Sequence, residues 1–320
     1  MTKELFAFFL LFTVTTLGYA EKDSTYIVYK TNSKVIYGIC FTDRGGALGI
    51  ADDTVIKVYS TLSNKLLNEF KNGHKSGILS IDISKDSSLL VSGGKDSTIV
   101  LWDFLSNRIL KKLFYHDGIV TSVHLSPDKR YLVSGGTDKK IFLYDIEKDK
   151  VICEFTDHKD DITSVKFSPD GNMVASSGGD GLINIYDVEK CLLIASLNGH
   201  RSWVRDISFS RNGTKLISCG DDSRIIAWNI TDIKNIEIEE SSKKGFNWCL
   251  SVDMNEDGDT YVSGGMNGKV RIVTDLTEYV ARIKRPVNKV LFKPNEGSFL
   301  KVAVATYGKG VFLIDATKLN

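Results

Sequence analysis

Four histidines recur at one spacing: His74, His116, His158 and His200 stand 42 residues apart each time. Serines keep the same step (Ser92, Ser134, Ser176, Ser218), and so do aspartates (Asp96, Asp138, Asp180, Asp222). Six residues beyond each aspartate comes an aromatic ring: Trp102, Tyr144, Tyr186 and Trp228. Repetition of this length constrains the fold more than any other feature. Each period is one supersecondary unit that cannot bury its apolar face alone, so neighbouring units must stack.

Within a period the texture is all β. ILSIDIS, LLVSGG, TIVLWDF and ILKKLF are short apolar runs rich in β-branched residues. SPDK at 126–129, SPDG at 168–171 and SRNG at 210–213 supply turn chemistry between them. Four strands per period is one propeller blade. Ahead of the four clear repeats lies a weaker one, with Asp53 and Tyr59 at the turn and aromatic positions. After them comes a sixth, with Asn267 replacing the aspartate, and then a last segment with three strands only. TYIVYK at 25–30 is free to supply the missing fourth. The expectation is an all-β, seven-bladed β-propeller of four-stranded blades, closed by an N-terminal strand pairing into the last blade. It replaces the two-domain division that 320 residues would otherwise suggest.

These residues, and Gly73-His74 with Leu101-Trp102-Asp103 in particular, resemble the WD-repeat family. The resemblance implies a ring of blades around a central channel, acting as a platform for partner proteins. It also implies a hydrogen-bond relay in each good blade, from the aromatic on the third strand through Ser on the second and His before the first to Asp in the turn. The chemistry agrees, since an indole only donates, a serine hydroxyl does both, and a neutral imidazole does one of each. Tyr144 and Tyr186 depart from the indole, so their relays must change geometry or stop at serine. Thr31, Gly245 and Pro286 stand at the histidine position of blades one, six and seven by counting back from the turn, leaving apolar packing to hold them.

Ser, His and Asp are also the parts of a hydrolase triad, but a triad serves one site, and this set recurs four times. No catalytic residue, cofactor or metal is therefore expected, and there is no phosphate-binding glycine loop or dinucleotide fingerprint. His124 is a lone strand residue read as structural. Balanced charge, 41 Lys+Arg against 40 Asp+Glu, gives no field to recruit nucleic acid. The five cysteines form no C-x-x-C pair, and their spacing singles out no disulfide.

The first twenty residues differ from the rest. Lys3 precedes an apolar run from Leu5 to Leu17, followed by the small residues Gly18 and Ala20. This is the layout of a secretory signal peptide over 1–20, with the propeller at 21–320. The run falls short of the roughly 20 residues a bilayer span needs. A secreted or periplasmic location follows, or a cytoplasmic one if the segment is retained.

The resemblance implies that the face carrying the His loops and Asp turns is a common binding face, where three positions per repeat should project beside the relay. Read around the ring, Trp203, Phe246, Trp248, Met266 and Tyr307 fall on blades five to seven, with Arg201 and Asp221 beside them. Val287 and Lys289 take the corresponding positions of the seventh blade, and Arg205 lies close by with its direction left open. Trp, Tyr and Arg dominate binding hot spots, so a protein or peptide partner is expected on this face of a monomeric propeller. A carbohydrate or cell-wall ligand stacked on the same rings is the alternative, and an intracellular scaffold is the reading if the leader is not cleaved.

Overall fold

The computed structural model describes residues 20–22, 26–242, 248–255, 258–274, 277–294, 301–308 and 310–315, and these form strands and turns without a helix. In the second blade, Ile78–Ile83, Leu89–Gly94, Ile99–Asp103 and Arg108–Leu113 make one antiparallel sheet in chain order. The same order builds the first blade (Ile39–Phe41 to Leu66–Phe70), the third (Val120–Leu125 to Lys150–Phe155) and the fourth (Ile162–Phe167 to Leu192–Asn198). It also builds the fifth (Val204–Phe209 to Glu237–Ser242) and the sixth (Cys249–Met254 to Glu278–Arg282). The seventh takes three strands from the chain end, Val287–Phe292, Lys301–Thr306 and Val311–Asp315, and a fourth from the beginning. That fourth strand, Tyr26–Tyr29, pairs antiparallel from Tyr26 opposite Ile314 to Tyr29 opposite Val311. Each blade's first strand packs on the next, and Val287–Phe292 returns to Ile39–Phe41. The seven-bladed ring and its N-terminal closure are as the repeat pattern predicted.

One strand was not foreseen: Ala20–Lys22 adds outside Tyr26–Tyr29 as a fifth strand of the last blade. Residues 1–19 of the expected leader lie outside the described residues.

Stacking buries the middle strands on both faces, which is why they read as unbroken apolar runs. Leu90, Val91, Val100 and Leu132 are almost wholly covered. Glycine allows the closest approach. A Cβ on Gly93, Gly135 or Gly264 would come within 2.6, 2.5 or 2.4 Å of Val120, Ile162 or Val287 on the next blade.

Every first strand is also a sheet edge facing the central channel, and its free N–H groups need acceptors. For blades three, four, six and seven the preceding blade supplies some of them from side chains. Leu125 donates to Asp82 Oδ2 at 2.8 Å, Phe167 to His124 Nδ1 at 3.2 Å and Phe292 to Asp253 Oδ2 at 2.9 Å. One tier away, Val123 donates to Ser80 Oγ at 3.1 Å, Val165 to Ser122 Oγ at 3.0 Å and Val290 to Ser251 Oγ at 3.2 Å. Blades are thus sewn together along the channel wall by hydrogen bonds as well as by apolar contact.

A disulfide joins Cys153, on the outer strand of the third blade, to Cys191, in the last turn of the fourth, with Cα atoms 5.7 Å apart. The sequence spacing did not reveal it, because the two residues meet only when successive blades stack. Cys40, Cys219 and Cys249 are buried thiols. The bond spans 38 residues, so reduction should lower the unfolding free energy by about 2–4 kcal/mol. A urea midpoint that falls with reductant in the wild type but not in Cys153→Ser is the expected result; a midpoint indifferent to reductant would refute it.

Candidate functional site

The recurring serine is the hub of each strong blade. Trp102 pairs across the sheet with Leu90, two residues from Ser92 on the same face, so its ring reaches that hydroxyl diagonally. Trp102 Nε1 donates to Ser92 Oγ at 2.9 Å, His74 Nε2 lies 2.7 Å from the same oxygen, and His74 Nδ1 lies 3.0 Å from Asp96 Oδ1. The fifth blade repeats this with Trp228, Ser218, His200 and Asp222 at 2.9, 2.8 and 3.0 Å. The indole can only donate, so the serine accepts from it and donates its O–H to His Nε2, which leaves Nδ1–H to donate to the carboxylate. Asp96 also accepts the N–H groups of Lys75 and Thr98. Burial pulls the His74 imidazole below its ordinary range despite Asp96, keeping it neutral. Burial pushes Asp96 up, but His74 and the backbone donors outweigh it and leave the carboxyl below normal.

Why glycine precedes histidine in these two blades is now plain. A Cβ on Gly73 or Gly199 would stand 2.2 or 2.6 Å from the Cη2 atom of Trp102 or Trp228. Where tyrosine replaces tryptophan, the preceding residues are Tyr115 and Asp157. There His116 and His158 still hold Ser134 at 2.9 Å and Ser176 at 2.7 Å, and both reach Asp138 and Asp180. Tyr144 donates instead to Asp149, and Tyr186 accepts from Asn184.

The weaker blades improvise. In the first, Asp52 rather than Asp53 grips the preceding loop, accepting from the Asn32 and Ser33 N–H groups and from Lys57. The turn is one residue shorter there, which moves the acid back by one. Thr31 is buried, and its hydroxyl has no partner among the described residues. Ser263 of the sixth blade is likewise buried without one. In the seventh, Pro286 is not at the histidine position. Its carbonyl accepts from Tyr307 N–H as Trp203 accepts from Asp221, so it corresponds to Trp203. The rim positions therefore fall on Lys284 and Pro286, while Val287 is core and Lys289 enters the channel. Counting failed because the connection between Phe292 and Val302 is three residues longer than that between Phe209 and Leu216.

On the rim, Arg201 is exposed and Trp248 is 47% exposed. Met266 is half-buried and hydrogen-bonds its N–H to the Trp248 carbonyl at 3.1 Å. Trp203 lies across Gly179, where a Cβ would come within 2.8 Å of its ring. Arg205 stands over Trp203, 4.7 Å from the ring centre, and donates through Nε and Nη2 to both oxygens of Asp221. Tyr307 is half-buried beside Tyr37, burial and that neighbour pushing its phenol up. Phe246 lies outside the described residues. The sequence missed Tyr37 and Lys95 as members of this cluster. Tyr37 is 37% exposed, with Lys95 Nζ 5.5 Å from its ring centre. Its blade carries no relay histidine, so no repeat signal pointed to it.

The model of the WD domain, G-beta repeat, matches residues 64–103, 107–145, 149–187 and 191–229. The chain belongs to the WD-repeat family. Each matched WD repeat begins at the outer strand of one blade and ends at the third strand of the next, so consecutive repeats interlock. Curated relatives include small ribosomal subunit protein RACK1y of Oryza sativa subsp. japonica, 38% identical over 19% of this chain and 18% of its own. The WD repeat domain-containing protein 83 homolog of Dictyostelium discoideum is 27% identical over 32% of each chain. Eukaryotic translation initiation factor 3 subunit I of Schizosaccharomyces pombe is 32% identical over 27% of this chain and 26% of its own. The matched stretches thus span about a third or less of these relatives' lengths.

The WD-repeat channel holds about 850 Å³ and is walled by the first strands of the blades. Lys289 reaches past the sixth blade to bond Asp206 of the fifth at 2.7 Å, and Ser251 and Ser164 donate to the same carboxylate. His124 is structural, as read from the sequence: its Nδ1 accepts the Phe167 N–H, and its Nε2 lies 3.8 Å from Asp82. Burial takes its imidazole from 6.5 down to about 4, Asp82 opposing only in part.

Two predictions follow from these geometries. Ser92→Ala strands both an indole donor and an imidazole acceptor and should cost about 2–4 kcal/mol, whereas Ser134→Ala strands only the imidazole and should cost about 1–2 kcal/mol. Urea unfolding that ranks them the other way would refute the relay. Because the folded pKa of His124 is depressed, the unfolded chain binds the extra proton. Stability should therefore fall by up to about 3 kcal/mol as pH drops from about 6.5 to about 4. His124→Asn, which keeps an acceptor for Phe167, should flatten that slope; an unchanged slope would count against the assignment.

Proposed function

We propose that this WD-repeat protein is a non-enzymatic platform that holds a protein or peptide partner on the face of the His loops and Asp turns. Trp203, Trp248 and Tyr307 serve as anchors there, with Arg201, Asp221 and Met266 around them, and Tyr37 and Lys95 extend the set across the channel mouth. The observation that carries this reading is Trp248, a large ring left 47% exposed on a rim that is otherwise ordered by backbone hydrogen bonds. A rigid ring presents such a surface with little ordering cost on binding. By name, two of the similar proteins are parts of larger assemblies, a ribosomal subunit and an initiation factor.

Hydrolase chemistry is poorly served by the same residues. Ser92, Ser134, Ser176 and Ser218 are buried and each is engaged by its histidine, so no substrate carbonyl reaches them. Sugar stacking is also less well served, because Arg205 and Lys95 already cover faces of Trp203 and Tyr37. Export is part of the proposal. The N-terminal pattern supports it, and so does the Cys153–Cys191 bond, since disulfides persist mainly in oxidising compartments.

Capture from the native host tests the platform. Trp248→Ala/Arg201→Ala should weaken retention of a partner by about 30-fold or more, the scale of a hot-spot residue, with the melting temperature unchanged. Equal retention by variant and wild type, or no protein retained by either, would reject the site.

A further inference from the structure

Strand direction alternates through each blade, so the turns joining third to fourth strands lie on the face opposite the His loops. On blades one and two these turns carry near copies of one motif. Leu62-Ser63-Asn64-Lys65-Leu66-Leu67 is followed 43 residues later by Leu105-Ser106-Asn107-Arg108-Ile109-Leu110. The third and fourth blades have Glu147-Lys148-Asp149 and Glu189-Lys190-Cys191 in the same place. Asn64 and Asn107 hold the two turns alike, with φ of 59° and 58°, a conformation asparagine tolerates better than most residues.

The fold covers neither tip. Leu62 is 92% exposed and Leu105 80%, and Leu67 and Leu110 behind them are more than half exposed. The side chains of Asn68 and Asn107 bond to each other between the blades, so both tips ride on one continuous piece of structure. Two cations, Lys65 and Arg108, are exposed beside the tips, and the nearest acid, Asp103, stands across the strand pair from Arg108 and also accepts the N–H groups of Leu105 and Ser106. Glu69 and Asp149 are paired with Lys71 and Lys111, so cations outnumber acids around the two tips.

We propose that this face docks on an anionic phospholipid surface, the two leucine tips entering the headgroup layer and Lys65 and Arg108 pairing with lipid phosphates and carboxylates. Exposed apolar residues flanked by cations are what peripheral attachment to anionic lipid uses. The tips are convex, which suits a yielding layer better than the preformed pocket a protein anchor needs. Their duplication suits a partner that offers the same chemistry at two neighbouring points, and two weak contacts on one rigid body reinforce each other. The attachment lies on the far side of the ring from the proposed partner face, so both are usable at once.

The test is cosedimentation of the full chain with vesicles of phosphatidylcholine alone and with about 30 mol% phosphatidylserine. The quantity read is the excess bound to the anionic vesicles, compared between wild type and variants that share the same N-terminal segment, so that its contribution is common to all. Wild type should show such an excess. Leu62→Ser/Leu105→Ser and Lys65→Glu/Arg108→Glu should each reduce it at least fivefold, with unchanged melting temperatures because all four side chains are exposed. A wild type without the excess, or a leucine variant that keeps it, would overturn the proposal; in the first case a protein is left as the occupant of this face.

Discussion

A propeller blade has an inner edge that no further strand can cover, and the N–H groups on that edge need acceptors. Here the side chains of the neighbouring blade provide them, Asp82 for Leu125, His124 for Phe167 and Asp253 for Phe292, with serines one tier away. At blades three, four, six and seven this couples the register of one blade to that of the one before it. A blade displaced by one residue would present the wrong face of its first strand and lose both its acceptors and its apolar contacts. The channel, its mouth and the spacing of side chains around the rim all follow from that coupling.

Radial order comes from a different set of interactions. In blades two and five the Trp–Ser–His–Asp chain ties the third strand to the second and to the loop before the first, with every polar group paired. Blades three and four lack the indole, and they are the pair joined by Cys153–Cys191, from the outer strand of one to the last turn of the other. The covalent link therefore lies where the hydrogen-bond chain is shorter. Blade one uses Asp52 to hold residues 32 and 33, a polar solution of its own where mainly apolar packing was expected.

The ring separates two kinds of surface. The mouth on the His-loop side is aromatic and charged, and its cations are held in place: Arg205 by Asp221 and the Trp203 ring, Lys95 against Tyr37. The opposite face, at blades one and two, is aliphatic at its tips and cationic behind them. Rigid blades keep these surfaces apart, so occupancy of one leaves the other accessible.

Much of the molecule was legible in the chain because repetition makes each residue's role testable against its copies. The period assigned the four relay histidines, serines and aspartates, the blade count and the closing strand, and each of those depends on spacing that one blade shares with the next. Where loops change length the same arithmetic slips, as it did at Pro286 and Asp53. Contacts made between blades had no sequence signal at all. The Cys153–Cys191 bond and the Gly179 bed beneath Trp203 arise only when successive blades stack, and the meeting of Tyr37 with Tyr307 only when the ring closes. The sequence by itself determined the repeating unit, because hydrogen-bond chemistry and strand periodicity are local. Only the tertiary structure decided which side chains share a surface, because closure brings the first blade against the last.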